Sequence, residues 1–295
     1  MAPALPQTAD IPWQVRGGGA LMRGLHAFRH VTFTIGLVVT LALVATAAMS
    51  LVYTPRDPLE MSITGRLQGP SGGNLLGTDQ FGRDLLSRIM TGAVTSILVG
   101  VIAVGIGMGI GVVLGMLSGY FGGWLDEGFM RLMDAVQGFP AILSALLISS
   151  VFKPSTAISM IAIGVAFLPV FARLTRGSFL ELRDRDFVVA ARALGAGDAA
   201  LIGRHILPNT LSPLIVQATI SFPVAILAEA GLAYLGLGTQ PPHPSWGLML
   251  RESQAFLGMN PWFAIFPGGA IALTVLGLNL LGDGLRDLLD PKQAR

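Results

Sequence analysis

The sequence contains no cysteine, and its four histidines are scattered along the chain. The absence of cysteine excludes disulfide bonds, thiolate catalysis and cysteine-ligated metal sites. Scattered histidines give no cluster of nitrogen ligands on which to base a metal centre. We therefore predict no catalytic residue, no metal site and no cofactor-binding site in this chain.

Charge is also scarce, because charged residues make up 12% of the chain and hydrophobic residues 52%. Ordinary soluble domains carry roughly 25% charged residues, so this composition argues against a soluble protein and for a protein whose solvent is lipid. The net charge of +2 is small and gives no basic face of the kind that binds nucleic acid. We expect contact with membrane lipid and no nucleic-acid partner.

Long apolar runs indicate an all-α membrane protein with about six transmembrane helices. A helix needs roughly 20 apolar residues to cross the hydrocarbon core. The first run is too long for the hydrophobic region of a signal peptide, which is about 7–15 residues, so we interpret it as an uncleaved helix. The runs are residues 31–53, 92–117, 132–152, 156–172, 213–237 and 262–281.

Lysine and arginine placement predicts the orientation. With the N-terminus inside, thirteen of the 19 basic residues fall in cytoplasmic segments and six in outer segments. Cytoplasmic segments are enriched in these residues, so we predict that both termini are cytoplasmic, N-in/C-in. The predicted parts are a cytoplasmic N-terminal segment 1–30, a transmembrane domain 31–282 with an outer segment 54–91 and a cytoplasmic loop 173–209, and a cytoplasmic C-terminal tail 283–295.

Glycines recur at four-residue spacing in the second apolar run. Small residues at this spacing allow helix backbones to approach closely in lipid, which predicts tight packing against a neighbouring helix. A sliding movement of this helix during transport is a second interpretation that the sequence leaves open. The glycines are Gly105, Gly107, Gly109, Gly111, Gly115 and Gly119.

Polar residues within the apolar runs are candidate functional groups. Glu229 and Gln217 lie in the fifth run. A charged side chain near the bilayer centre costs about 2.5–3.5 kcal/mol, so such residues usually face a water-filled path or a bundle interior. We assign both to a possible translocation path, and the alternative is that Glu229 lies near the outer interface or is held by a hydrogen bond. Near the inner end of the third run, Asp134 is expected to pair with Arg131.

The cytoplasmic loop 173–209 is unusually polar for this chain and carries six arginines. Helix-forming residues precede Gly195, which predicts a helix ending there. Asp198 is expected to cap a second short helix, which Pro208 would end. The alternatives are a solvated loop with membrane-flanking arginines or a basic patch attracted to anionic lipid.

This loop resembles a known motif. Ala190-Ala191, Gly195 and Leu207-Pro208 follow the E-A-A-x3-G-x9-I-x-L-P pattern of permeases of ABC importers, with Val189 and His205 departing from it. Four further segments resemble signatures of the dipeptide/oligopeptide-type permeases. They are LGTDQFGRDLLSR at 76–88, SGYFGGWLD at 118–126, GLGTQPPHPSWG at 236–247 and NLLGDGLRD at 279–287.

The resemblance implies a type I ABC-importer permease bundle in the bacterial inner (cytoplasmic) membrane, and within the family a C-type subunit. Its implied partners are a B-type sister permease, two ABC ATPase subunits and an extracytoplasmic substrate-binding protein. The loop would form the coupling helix that contacts an ATPase. The residues implied in that contact are Ala190, Ala191, Arg192, Leu194 and Gly195.

The resemblance also implies that ATP and Mg²⁺ are used by the partner ATPases and not by this chain. The sequence agrees, because its only lysines are Lys153 and Lys292, and neither lies in a phosphate-binding loop. The implied substrates are dipeptides, oligopeptides, nickel chelates, glutathione or opine-like compounds. The alternative function is an ion-coupled secondary transporter, which would be expected to show several intramembrane carboxylates and two related halves.

The outer segment is a predicted docking surface for the substrate-binding protein, through Asp79, Arg83 and Asp84. Asp79 is also expected to cap a helix that runs into the second span. The alternative is a capped, salt-bridged surface helix with no partner, since Asp84 and Arg88 lie one helical turn apart.

Overall fold

The computed structural model describes residues 31–289, and within this range the chain forms nine α-helices and no β-strand. The predicted N-terminal segment 1–30 and residues 290–295 of the predicted tail lie outside the described residues. The helices are α1 (Val31–Ser50), α2 (Leu85–Phe121), α3 (Gly123–Gln137), α4 (Ala141–Val151), α5 (Thr156–Leu182), α6 (Asp186–Ala193), α7 (Asp198–Tyr234), α8 (Trp246–Ser253) and α9 (Trp262–Leu289).

Five helices, α1, α2, α5, α7 and α9, are long and apolar enough to cross a membrane unbroken. At about 1.5 Å per residue, even the 20 residues of α1 cover the thickness of the hydrocarbon core. Several of them extend beyond the predicted spans. The loop predicted at 173–209 is therefore shorter as a helix connection, 183–197, and α9 continues to Leu289, into the predicted tail.

The third predicted span is broken. α3 and α4 meet at an angle of 84°. Pro140 directly precedes α4, where its ring and missing amide hydrogen prevent a continuous helix, and it also disfavours helical geometry at Phe139. The described chain therefore has six crossings only if this bent pair serves as one span.

The most extensive helix contact joins α2 and α5. A Cβ added at Gly111 would lie 2.9 Å from the carbonyl oxygen of Leu168, and one added at Gly115 would lie 2.8 Å from the Cβ of Thr175. These distances are below ordinary van der Waals contact, so only glycine allows the two backbones to pack this closely.

The close packing is confined to one face of α2. Gly107 and Gly119 extend the packed stripe toward both ends of the contact with α5. Gly105 and Gly109 have no atom within 4 Å of an added Cβ. Two residues turn a helix by about 200°, which places these two glycines on the opposite face. The predicted glycine packing is thus confirmed only for the stripe formed by Gly107, Gly111, Gly115 and Gly119.

Two segments fold against each other at the predicted outer end of the bundle. They are residues 51–84 and 235–261, and we call them the outer cap. The Asn260 side chain joins them, because its Nδ2 donates to the carbonyl oxygens of Gln68 at 3.1 Å and Thr78 at 3.2 Å. Side-chain bonds to loop carbonyls give these irregular segments a fixed geometry.

Helix α2 begins directly after the first of these segments. Asp84 is its N-cap, because the carboxylate accepts from the amide of Ser87 at 2.8 Å. The predicted capping role of Asp79 is therefore wrong. Asp79 instead accepts from the amides of Phe81 at 2.8 Å and Arg83 at 3.0 Å, which closes the turn that precedes the helix.

Candidate functional site

The predicted coupling residues lie on α6 and on the turn that ends it. Gly195 has a φ of +88°, a conformation that glycine adopts readily. The amide of Ala196 donates to the carbonyl of Ala191 at 3.1 Å, and the amide of Gly195 donates to that of Arg192 at 3.0 Å. These bonds satisfy the last carbonyls of the helix. The predicted helix and glycine turn are confirmed.

The predicted second short helix is different in the structure. Gly197 is the N-cap and Asp198 the first helical residue, so Asp198 does not cap. Pro208 does not end the helix either, because it lies in the first turn after a π-helical turn, Leu201–Ile206. The wider hydrogen-bond pattern of that turn accommodates the missing proline donor, and α7 continues without a break to the outer end.

One apolar side chain anchors the loop to the bundle. Val188 on α6 is fully buried and packs with Phe179 of α5 and with Leu201 and Ile206 of α7. Burial of a valine side chain stabilises by about 1.5–3 kcal/mol. This small cluster therefore holds α6 across the inner ends of α5 and α7.

The opposite face of the loop is open. Leu194 is 89% exposed and Val189 is half-exposed. Ala190, Arg192 and Gly195 are also exposed, whereas Ala191 packs against the buried cluster. Four of the five predicted coupling residues are thus placed together on an accessible surface, and Ala191 supports that surface from below.

Polar contacts tie the loop to the inner end of α2. The Tyr120 hydroxyl donates to Oδ1 of Asp198 at 2.6 Å. The Arg183 guanidinium donates to the carbonyl oxygen of Gly119 at 3.1 Å. Arg183 precedes α6 and Asp198 follows it, so these bonds hold both ends of the loop against α2.

The expected pair between Asp134 and Arg131 is wrong. Arg131 instead pairs with Glu127, one turn earlier on α3, and Asp134 pairs with Arg173 of α5 at 2.5 Å. A glutamate four residues before a basic residue is the favourable helical order. The Asp134–Arg173 contact crosses between helices, which sequence spacing alone does not reveal.

Four charged side chains meet where the outer cap contacts the first turn of α2, three of them buried and the fourth, Glu252, 12% exposed. Arg83 lies 2.5 Å from Asp79 and 3.3 Å from Glu252. Arg88 lies 2.8 Å from Glu252 and 3.4 Å from Asp79. The set is electrically neutral, as buried charges require, and it joins the segment before α2 to helix α8.

The predicted docking residues are placed inside this cap. Asp79, Arg83 and Asp84 are all buried within the chain. They therefore shape the outer segment and do not present their side chains to a partner. Docking of a binding protein by the segment as a whole stays a prediction, and it would use the exposed residues around them.

Sequence analysis missed the residues that complete the cap. Glu252 and Asn260 form hydrogen bonds with Arg88 and Gln68, which lie more than 160 residues earlier in the sequence. Trp246 is buried, donates from Nε1 to the carbonyl of Ile89 at 3.0 Å and packs against Gly92. In the sequence, Trp246 stood out only as part of the GLGTQPPHPSWG signature at 236–247, and no local pattern marks Glu252 or Asn260.

Glu229 and Gln217 are not brought together. They are separated by twelve residues of α7, about 18 Å along the axis and about 120° around it. Gln217 Nε2 donates to Ser221 on the same helix at 3.2 Å. Glu229 is buried near the outer end of α7, where Thr239 donates to its Oε1 at 3.2 Å. The translocation role of the two residues stays a prediction.

Two apolar cavities lie between membrane-spanning helices. One of about 560 Å³ lies between α1, α2 and α7 and is lined by Gly105, Met108 and Phe222 among others. A second of about 100 Å³ lies between α4, α5 and α7. Neither Glu229 nor Gln217 lines either cavity.

Comparison with known proteins shows a family match over most of the chain. Residues 111–295 match the family described as binding-protein-dependent transport system inner membrane component. The chain is 44% identical over 258 residues to the dipeptide transport system permease protein DppC of Alkalihalophilus pseudofirmus, covering 88% of this chain and 85% of the relative. It is 43% identical to a putative peptide transport system permease protein of Brucella abortus, covering 90% and 89%.

A third relative is the glutathione transport system permease protein GsiD of Shigella flexneri, 44% identical over 90% of this chain and 87% of the relative. Among solved structures, the inward-facing MetNI methionine ABC transporter in its CY5 native crystal form shares the fold. It has a TM-score of 0.57 at 17% identity and covers 68% of this chain and 96% of that chain. A second crystal form, CY5 with a selenomethionine soak, has a TM-score of 0.53 at 18% identity, covering 68% and 94%.

These similarities decide between the two transporter classes. Relatives that cover most of the chain are permeases of transport systems, and the fold is that of an ABC importer permease, so the ion-coupled secondary transporter is not supported. The chain belongs to the binding-protein-dependent transport system inner membrane component family and is an inner-membrane permease subunit of an ABC importer.

Proposed function

We propose that this chain is the C-type permease subunit of an importer for peptides or similar small solutes. The relatives named for dipeptide, peptide and glutathione transport support this substrate class. In the proposed complex it forms half of the translocation path with a B-type sister permease. Two ABC ATPase subunits use ATP and Mg²⁺ on the cytoplasmic side, an extracytoplasmic binding protein delivers substrate, and this chain itself is not catalytic.

The proposed complex requires the parts of the chain to face particular compartments. Residues 1–30 and 283–295 would be cytoplasmic, on either side of the transmembrane domain 31–282. The outer segment 54–91 would meet the binding protein. The loop within 173–209 would meet an ATPase. This arrangement matches the basic-residue asymmetry of the sequence.

The exposed end of α6 is the observation that carries the coupling proposal. Leu194 is a large apolar side chain that is 89% exposed at the end of a well-anchored helix. Ala190 and Gly195 beside it are small, which lets another protein approach the backbone. A central apolar anchor with small neighbours is the kind of surface that inserts into a groove of a partner.

The mechanism follows from how α6 is held. When the ATPase subunits bind ATP and close, the subunit that is bound to α6 displaces this helix. Val188 packs on both α5 and α7, so the displacement reaches the inner ends of two spans. Packed helices move as rigid elements, and the bundle is expected to switch which side its path opens to.

A Leu194→Asp variant tests the proposal. The side chain is exposed, so the charge should not disturb folding, but it should oppose insertion into an apolar groove. We expect the ATPases to be lost from the complex isolated in mild detergent, and ATP-driven uptake of a labelled dipeptide to fall about tenfold or more, which corresponds to a loss of about 1.4 kcal/mol or more of interaction free energy.

Leu257→Asp is the matched control, because Leu257 is half-exposed in the outer cap. It should leave ATPase recovery unchanged. Normal recovery of the ATPases with Leu194→Asp would show that α6 is not the contact. A wild-type complex that contains the ATPases but takes up neither dipeptide nor glutathione would contradict the proposed substrate class alone.

A further inference from the structure

Helix α7 joins the coupling loop directly to the outer cap. It starts at Asp198, beside α6, and continues to Tyr234 without a break. Its 37 residues correspond to about 55 Å of helix, more than the thickness of the hydrocarbon core. A displacement at its inner end therefore has a continuous path to the outer side of the membrane.

Glu229 lies in the last two turns of this helix and is fully buried. Its Oε1 accepts from the hydroxyl of Thr239 at 3.2 Å. Thr239 and Ser245 belong to the turn that follows α7, and Ser245 is also the N-cap of α8. One side chain of α7 thus binds the turn that leads to α8 in the outer cap.

No basic group among residues 31–289 lies within 4 Å of Glu229, and its Oε2 has no hydrogen-bond partner there. A buried carboxyl group without a cationic partner is costly, and such groups persist in membrane spans where they serve a function. The contacts that it does make are directed only at the cap.

The same turn is fixed to α5. The hydroxyls of Thr239 and Thr156 lie 3.2 Å apart. The hydroxyl of Ser159 donates to the carbonyl of Leu237 at 3.1 Å. Since Thr239 contacts both Glu229 and Thr156, it links the outer ends of α7 and α5, the two spans that Val188 links at their inner ends.

Helix α8 is also held close to α7. An added Cβ on Gly247 would come within 2.6 Å of the Cα of Ala230, next to Glu229. Apolar contact of this kind sets the distance between the helices but not the rotation of one about the other. The directional bond from Thr239 to Glu229 supplies that missing constraint.

We propose that Glu229 is a positioning residue that fixes the outer cap to α7, so that movement of the coupling loop is transmitted to the outer side. This inference rests on the proposed coupling function of α6. Glu229 then acts through its hydroxyl partner, Thr239, and not by contact with substrate. Loss of the link should uncouple ATP hydrolysis from transport while both the fold and the ATPase contact remain.

The test compares four variants in the complete complex, reconstituted in liposomes with its binding protein. Glu229→Leu and Thr239→Val remove the acceptor and the donor of the link. Glu229→Gln keeps one carbonyl oxygen for Thr239 and changes only the oxygen that has no partner. Gly231→Ala is the control, because a Cβ there meets nothing within 4 Å.

The first readout is the ratio of labelled dipeptide taken up to ATP hydrolysed. We expect ATP hydrolysis to stay within about twofold of wild type in all variants, and the ratio to fall about tenfold in Glu229→Leu and Thr239→Val, a change within the usual range of coupling energies. Glu229→Gln and Gly231→Ala should retain the wild-type ratio.

The second readout is the distance between α7 and the cap. If Glu229 had a purely structural role, its replacement would not make this distance depend on nucleotide. The chain has no cysteine, so Leu227→Cys and Gln254→Cys restrict the spin labels on this chain to these two positions. In wild type the distance should be the same with and without trapped ATP. In Glu229→Leu it should change by several ångströms between the two states.

Each outcome decides the inference. Wild-type ratios in both Glu229→Leu and Thr239→Val, or parallel loss of hydrolysis and uptake in an intact complex, would overturn it. If Glu229→Leu does not assemble, Thr239→Val decides, since valine has nearly the shape of threonine. Absence of ATP-dependent uptake in the wild-type complex would instead contradict the proposed function.

Discussion

Replacement of Gly115 by alanine should destabilise the bundle, whereas the same replacement at Gly109 should not. Both glycines lie within α2, six residues apart. The added Cβ at Gly115 would overlap the carbonyl group of Ala172 and lie 2.8 Å from the Cβ of Thr175. The added Cβ at Gly109 meets no atom within 4 Å.

The size of the effect follows from the pair. Both replacements gain the helix propensity of alanine over glycine, about 1 kcal/mol, so this gain cancels in the comparison. Overpacking costs about 1–3 kcal/mol, and it is not relieved by side-chain rotation at Gly115 because the opposing atoms include backbone. The expected difference is about 2 kcal/mol, or roughly 4–8 °C in melting temperature.

The assay is thermal unfolding of the purified complex, followed by loss of the assembled species in size-exclusion chromatography. Gly115→Ala should melt below Gly109→Ala by the stated amount, and Gly115→Leu should lower the yield of folded protein further. Equal melting temperatures for the two alanine variants would refute the conclusion that the α2–α5 contact depends on the stripe that contains Gly115. A lower yield with Gly109→Ala alone would show instead that its open face contacts another subunit.

Two further predictions concern the cap and the loop. Arg88→Met should destabilise the protein by about 3 kcal/mol in chemical unfolding, because it leaves two carboxylates with one cation. Adding Glu252→Gln should restore part of that loss. If the destabilisations of the two single variants simply added in the double variant, the network would be contradicted. Tyr120→Phe should raise the rate of trypsin cleavage at Arg192 by up to about fivefold, because it releases the loop from α2. Asp198→Asn keeps an acceptor for the Tyr120 hydroxyl and should be cleaved at the wild-type rate.

The transmembrane spans could be predicted because their signal is local. Apolar runs of sufficient length exist only for burial in lipid, and each run can be recognised without its neighbours. The break at Pro140 was missed because the run continues in composition on both sides of the proline. The glycine stripes were recognised, but only contact with α5 distinguishes Gly111 and Gly115 from Gly105 and Gly109.

The coupling loop was also predictable in outline, since helix formers followed by Gly195 form a local signal. Asp198 was misassigned because its carboxylate accepts from Tyr120, a contact that only the fold reveals. Pro208 was misassigned because the helix-breaking rule assumes ordinary α-helical hydrogen bonding. The π-helical turn Leu201–Ile206 changes that pattern. The partners of Glu229 and Arg88 were not predictable, because they come from residues 10 and 164 positions away and depend on tertiary contacts.

The outer cap is held by stronger contacts than the coupling loop, so the cap should keep its shape when α7 is displaced. The loop rests on Val188 and on exposed polar contacts such as Tyr120 to Asp198, and exposed pairs contribute only about 0–1 kcal/mol. The cap contains a buried charge network centred on Arg88, and breaking such a pair costs about 3–5 kcal/mol. A displacement that reaches the inner end of α7 through Val188 is therefore not lost by deformation of the cap. A continuous α7, fixed to the cap through Glu229, then moves the cap as a rigid unit.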